Sequence, residues 1–149
     1  MSLYLAPHTT QPLREKVLVV DDEMGIRLLL TRLLTGWGYR VRHVEDAVAA
    51  LEIMAAEPAD ILLSDVSMPE HDGLWLVQQV QAGWPQTAVV MSTAHDDALT
   101  IRASRRMGAV AYVTKPFVPY VVKQALDQAA HHRRSCGSKQ ARSTDVERR

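Results

Sequence analysis

Cysteine is all but missing from this chain, in which Cys136 is the one example among 149 residues. A lone thiol closes no intramolecular disulfide, and no pair of spaced cysteines offers a zinc site. The fold must therefore be held by an apolar core, and a reducing compartment is permitted. Long apolar runs are missing too, since none approaches the roughly 18 residues that a membrane-spanning helix requires. The opening MSLYLAPHTTQPLREK has no basic segment leading into a long apolar one, so no export signal is read there and a cytoplasmic location without a membrane is expected. Charge of one sign is also lacking, with 17 Lys and Arg against 17 Asp and Glu. That balance is uneven along the chain: from His131 onward six basic residues face two acids, which leaves the first 130 residues with eleven against fifteen. A mildly acidic body gives no support to nucleic-acid binding within this chain, for which a basic face is needed.

What is present suits one domain. Hydrophobic residues make up 47% and charged residues 23% of the sequence, ordinary proportions for a globular protein of a size that buries a sizeable core. KVLVV at 16–20 is a β-branched run bounded by Asp21, Asp22 and Glu23, and it reads as a buried strand. Residues 24–35 repeat apolar side chains at helical spacing (Ile26, Leu29, Leu30, Leu33, Leu34) until Gly36 and Gly38 stop them. YRVRHV at 39–44 alternates like an edge strand. Residues 46–57 form a second helix with Ala47, Val48, Leu51, Met54 and Ala55 inward, ended by Pro58.

The alternation then continues. DILLS is a third strand, and residues 73–82 are a helix on Leu74, Val77 and Val80. TAVVMST is a fourth strand, 98–107 a weakly apolar helix on Ile101 and Met107, and AVAYVT a fifth strand. A final helix spans 116 to about 131 on Val118, Val121, Val122, Ala125 and Ala129. Five strands alternating with five helices through short connections predict a five-stranded parallel, doubly wound α/β sheet with helices on both faces, a flavodoxin-like arrangement. Right-handed crossovers put every strand's carboxyl end along one edge, where such folds place ligands. Residues 1–15 read as an N-terminal extension, 16–131 as the domain, and 132–149, which lose apolar periodicity, as a basic tail or the start of a linker.

The polar residues following each strand meet at that edge: Asp21 and Asp22 after the first, Asp65 after the third, Ser92 and Thr93 ending the fourth, Lys115 after the fifth. Crowded carboxylates repel one another and raise a pKa. A hard divalent cation relieves this, and Mg2+ suits because it takes a few carboxylates, keeps waters and binds phosphate oxygens. Lys115 adds a compact positive charge for a phosphoryl oxygen. The set fits phosphoryl transfer with Asp65 as the nucleophile.

VLVVDDE, ILLSDVSMPEHDG, VVMSTA and AYVTKPF, in this order and at these intervals, resemble the receiver domain of two-component response regulators over about residues 16–131. The resemblance implies a CheY-like (βα)5 fold, a phosphoryl group received by Asp65 from a phosphohistidine on a sensor kinase or phosphotransfer protein, and Mg2+ held by Asp22 directly, Asp21 through water, Asp65, and the backbone carbonyl of Ser67. It further implies that Thr93, with Ala94 beside it, and Lys115 bind the phosphoryl group. Tyr112 moves inward as Thr93 shifts, and Lys115–Pro116 is a candidate cis peptide. The surface of the fourth helix, fifth strand and fifth helix then carries the output to an effector, to a fused output domain, or to a second copy in a homodimer. Such a chain modifies itself and turns over no separate substrate. It is either a stand-alone receiver or a portion of a longer regulator.

Each residue also has a plainer reading. Asp21 and Asp22 could cap a helix, Thr93 could satisfy its loop, Lys115 could be a solvated charge, and Tyr112 could be core. His95, two positions after Thr93, could influence the water that hydrolyses the acyl phosphate, and His71, His131 and His132 read as exposed. Two other classes share the architecture. A Mg2+-dependent aspartyl phosphatase or phosphotransferase needs a second acid two residues after its nucleophile, where Ser67 stands, and a cap for which there is no insertion. A dinucleotide-binding module needs a glycine-rich cradle where this chain has acids. A phosphorylation-independent interaction module remains as the third alternative.

Overall fold

In a computed structural model, residues 14–94 and 98–147 are described, the side chains as far as 135. The runs expected as strands form β1 (Lys16–Val20), β2 (Arg40–Val44), β3 (Ile61–Asp65), β4 (Ala88–Thr93) and β5 (Ala109–Thr114). They pair in parallel in the order β2-β1-β3-β4-β5. Between and after them lie α1 (Met24–Gly36), α2 (Ala47–Ala56), α3 (Gly73–Gly83), α4 (Ala98–Arg106) and α5 (Pro119–Glu147). The strand order reverses between β1 and β3, which opens a crevice at their carboxyl ends.

Because successive strand residues point to opposite faces, the apolar strands feed two cores. Val17, Val19, Ile61, Leu63, Val90 and Val113 pack with Leu30 and Leu34 of α1 and with Val122, Leu126 and Ala129 of α5. Leu18, Val20, Leu62, Val89 and Met91 pack with Met54 of α2 and with Leu76, Val77 and Val80 of α3. β3 is buried at all five positions, Asp65 included, as expected of a central strand covered on both faces. Among the described residues no helix is long and apolar enough to cross a membrane.

Several helix faces differ from the sequence expectation. Leu29 is 43% exposed, and Val48, Val118 and Val121 are exposed as well, as is Ala55. Short apolar repeats leave the phase of a helix open by one position; here α1 buries the stripe Arg27, Leu30, Leu34 and α2 the stripe Ala47, Ala50, Met54. α5 starts at Pro119 rather than 116, with a proline in its first turn, where the missing N–H costs nothing.

The larger correction is at the other end of α5. Residues 132–147, read as tail or linker without helical pattern, continue the helix to Glu147. A helix already nucleated by packing lengthens at one hydrogen bond per residue, and an apolar stripe is needed only where a helix packs. Arg133–Asp60 (2.9 Å) and Arg134–Glu15 (3.4 Å) tie the start of this extension to the domain, and Arg14 of the expected N-terminal extension pairs with Asp127 at 3.0 Å.

The burial pattern separates two leucines that look alike in sequence. Leu126→Ala, at a fully buried position, is expected to cost about 2–5 kcal/mol in urea unfolding, and Leu29→Ala no more than about 0.5 kcal/mol.

Candidate functional site

β1 and β3 lie side by side, so the residues closing them, Asp21 and Asp65, come together at the carboxyl edge. Asp21 is 1% and Asp65 6% exposed, while Asp22 faces solvent. A carboxylate oxygen from each of Asp21, Asp22 and Asp65 lies within 4.8 Å of the others. Lys115, just past β5, reaches across β4 to place Nζ 2.8 Å from Oδ2 of Asp21 and 3.4 Å from Oδ2 of Asp65. Its own backbone N–H is anchored on the Thr93 carbonyl at 2.8 Å.

These groups perturb one another. Burial pushes the Asp65 carboxyl above the ordinary carboxylate range, and the Asp21 charge adds to this, while Lys115 and the Ser67 N–H oppose it. For Lys115 burial works to lower the pKa, but the hydrogen bond to Asp21 and the charges of Asp65 and Asp21 outweigh it and the ammonium is held above its usual range. Three carboxylates against one ammonium leave uncompensated negative charge. The donors are hard oxygens and Asp22 is open to water, so the residues fit Mg2+, which binds through few carboxylates and retains waters.

The loop after β3 is shaped around Asp65. Ser67, exposed, donates its N–H to Asp65 Oδ1 at 3.3 Å. Val66 N–H bonds to the Ser92 carbonyl, and Gly73 N–H to the Val66 carbonyl at 2.8 Å. Glu70 takes a left-handed backbone with φ of 68°, and Asp72 caps α3 by accepting from Trp75 N–H at 2.9 Å. A Cβ on Gly73 would lie 2.1 Å from the Asp65 carbonyl oxygen and 2.9 Å from Val66 Cα. Glycine is therefore required there by close backbone approach, a reason the sequence reading, which took Gly73 only as a helix start, did not contain.

The remaining expected residues are distributed as follows. Thr93 is buried at the end of β4, opposite Thr114 in the ladder, and Ala94 follows it, exposed. Tyr112 pairs with Met91, two residues back from Thr93. It lies outside the acid cluster, half-buried against the α3-side core with the Arg105 guanidinium 5.5 Å from its ring centre. The Lys115–Pro116 bond is cis. His71 stacks on Trp75 with ring centres 4.0 Å apart, and His131 and His132 are exposed. His95 and the Cys136 side chain lie outside the described residues. Sequence reasoning missed Arg27, which is 8% exposed and donates through Nη1 to the Asp21 carbonyl at 2.9 Å. The signal was available: a charge in register with Leu30 and Leu34 on the buried stripe.

The raised pKa of Asp65 links to stability. The folded state binds this proton more tightly than the unfolded chain, so stability falls as pH rises through the window between the unfolded and the higher folded value. Asp65→Asn is accordingly expected to resist urea better than the wild type at pH 7, with an advantage that shrinks towards pH 4.

Comparisons with known proteins bear on the family of the chain. The family model of the response regulator receiver domain matches residues 17–127. The chain is 40% identical over 101 residues to the DNA-binding transcriptional regulator NtrC of Escherichia coli, covering 68% of this chain and 22% of that protein. It is 31% identical over 105 residues to sporulation initiation phosphotransferase F of Bacillus subtilis, covering 70% and 85% respectively. Thus it spans about a fifth of the first relative and most of the second. Among solved structures, the signal receiver domain of an HD domain-containing protein from Pseudomonas fluorescens superposes with a TM-score of 0.77 at 28% identity, over 82% of this chain and 98% of that one. NtrX from Brucella abortus superposes with a TM-score of 0.81 at 26% identity, over 85% and 29%. With an acid pair, a central aspartate and a lysine meeting at the carboxyl edge of a five-stranded parallel sheet, and with the family match covering all five strands but for Lys16, this chain belongs to the response regulator receiver domains and has their CheY-like fold.

Proposed function

We propose that the domain is a phosphoacceptor switch in which Asp65 takes a phosphoryl group from a phosphohistidine of a sensor kinase or phosphotransfer protein. One Asp65 carboxylate oxygen forms the new O–P bond as the N–P bond of the phosphohistidine breaks, and the imidazole leaves with the bonding pair. The observation that carries this reading is the Lys115 ammonium shared between Asp21 and Asp65 beside a third carboxylate. The site is short of positive charge and suited to an incoming anion only with a cation present.

Asp21, Asp22 and Asp65, with the Ser67 carbonyl, would hold Mg2+. When bound, the ion supplies neutralisation of the acids and of the phosphoryl oxygens. Lys115, already within reach of Asp65, turns part of its ion pairing towards a phosphoryl oxygen, and the Thr93 hydroxyl donates to another from the adjacent strand end, with Ala94 beside it. Tyr112 responds by moving inward past Arg105. Contacts made by Thr93 and Lys115 in only one state bias a two-state equilibrium.

The output face is formed by α4, β5 and α5. Leu99, Val118, Tyr120 and Val121 are exposed there, which supports its use by an effector, a fused output domain or a second copy in a homodimer. Residues 16–131 act as the receiver. The chemistry modifies the domain itself and turns over no further substrate, in keeping with a cytoplasmic signalling role.

With Mg2+ and acetyl phosphate, the wild type is expected to gain one phosphoryl group by intact mass. Asp65→Asn, or removal of Mg2+ by EDTA, should abolish the gain. Lys115→Ala should keep little of it. Failure of the wild type to gain mass at saturating phosphodonor would sink the proposal.

A further inference from the structure

Arg27 is a charge that the chemistry above does not use, yet it is buried. Its guanidinium lies under the acid loop, with Nη1 donating to the Asp21 carbonyl at 2.9 Å and Nε donating to His43 Nδ1 at 3.2 Å. The Asp21 main chain is thus fixed on both sides, since its N–H donates to the Val44 carbonyl, the residue after His43. The Asp21 side chain is fixed as well, by Lys115 and by the Glu23 N–H at 2.9 Å. The peptide linking Asp21 to Asp22 presents the backbone that carries the exposed Asp22 carboxylate, and the carbonyl of that peptide is the one Arg27 holds.

We infer that Arg27, held by His43, is a positioning residue that sets the orientation of the Asp21–Asp22 peptide and so the affinity of the acid cluster for a divalent cation. The inference rests on the phosphoryl-site reading. Two opposing effects can be separated. As a buried cation on the Asp21 carbonyl, Arg27 works against a second cation nearby, so a purely electrostatic role predicts tighter Mg2+ binding once its charge is removed. As an orienting fork, it favours binding. Lysine keeps the charge but cannot span both acceptors, because an ammonium is a point and not a planar fork. His43 is engaged through Nδ1 as an acceptor, and an Asn side chain can present an amide oxygen in its place, whereas Ala cannot.

Mg2+ titration by calorimetry on the full chain tests this, with the rate of phosphorylation by acetyl phosphate measured at saturating Mg2+ alongside. Arg27→Lys is expected to weaken Mg2+ binding by about tenfold, the low end of the range for residues that orient metal ligands, while the rate at saturation stays close to wild type. His43→Ala should weaken binding in the same direction, and His43→Asn should restore it. Each variant should retain a cooperative thermal transition, and His43→Ala, at an exposed edge-strand position, keeps the test available if Arg27→Lys does not fold. Wild-type affinity in Arg27→Lys, or equal loss in His43→Asn and His43→Ala, overturns the inference alone. Absence of Mg2+ binding by the wild type overturns the phosphoryl-site reading with it.

Discussion

One ammonium group held between two buried carboxylates organises this molecule. Charges removed from water are costly unless they are paired at good geometry, and Lys115 meets that demand by binding Asp21 at 2.8 Å and Asp65 at 3.4 Å. The topology makes the meeting feasible. β1 and β3 are neighbours, so their terminal acids are close, and β5 stands beyond β4, from which only a long side chain can reach back. The Thr93 carbonyl fixes the backbone of that side chain. Gly73 lets α3 begin hard against the Asp65 carbonyl. The sheet, the loop and the helix start all serve the same site.

The pairing is deliberately incomplete in its charge. Lys115 satisfies Asp21 more closely than Asp65, and Asp65 keeps a raised pKa despite its neighbour. A buried carboxylate that is only partly neutralised, beside two further acids, is an electrostatic setting that favours a cation. In the proposed switch, the lysine then has a second set of oxygens to choose between, and that choice is what would be transmitted. α4 buries only Ser104, so little packing holds it in place.

Much of this was legible in the sequence, for physical reasons that can be named. Strands buried on both faces read as continuous apolar runs, so KVLVV and ILLS marked β1 and β3 directly, and a charged residue straight after such a run has to lie at a sheet edge. That logic delivered Asp21, Asp22, Asp65 and Lys115. It did not deliver relations that depend on packing. Which face of α1 turns inward was misplaced at Leu29, because neighbouring leucines leave the helical phase undetermined. The helical course of 132–147 was missed because apolar periodicity reports a packed face and is silent about a helix that runs on without one. Gly73 and Arg27 carry meaning only once the backbone of the acid loop is in place beside them. The preference of Lys115 for Asp21 is likewise a matter of ångströms that no spacing encodes.

The account stands or falls on the identity of the acceptor atom. After brief exposure of the wild type to acetyl phosphate and Mg2+, borohydride reduces an acyl phosphate to the alcohol, converting a phosphorylated aspartate to homoserine, which peptide mapping by tandem mass spectrometry can place in the sequence. The account predicts homoserine at position 65 alone. Homoserine at position 21 or 22, or none at all in protein that has gained a phosphoryl group, would contradict it.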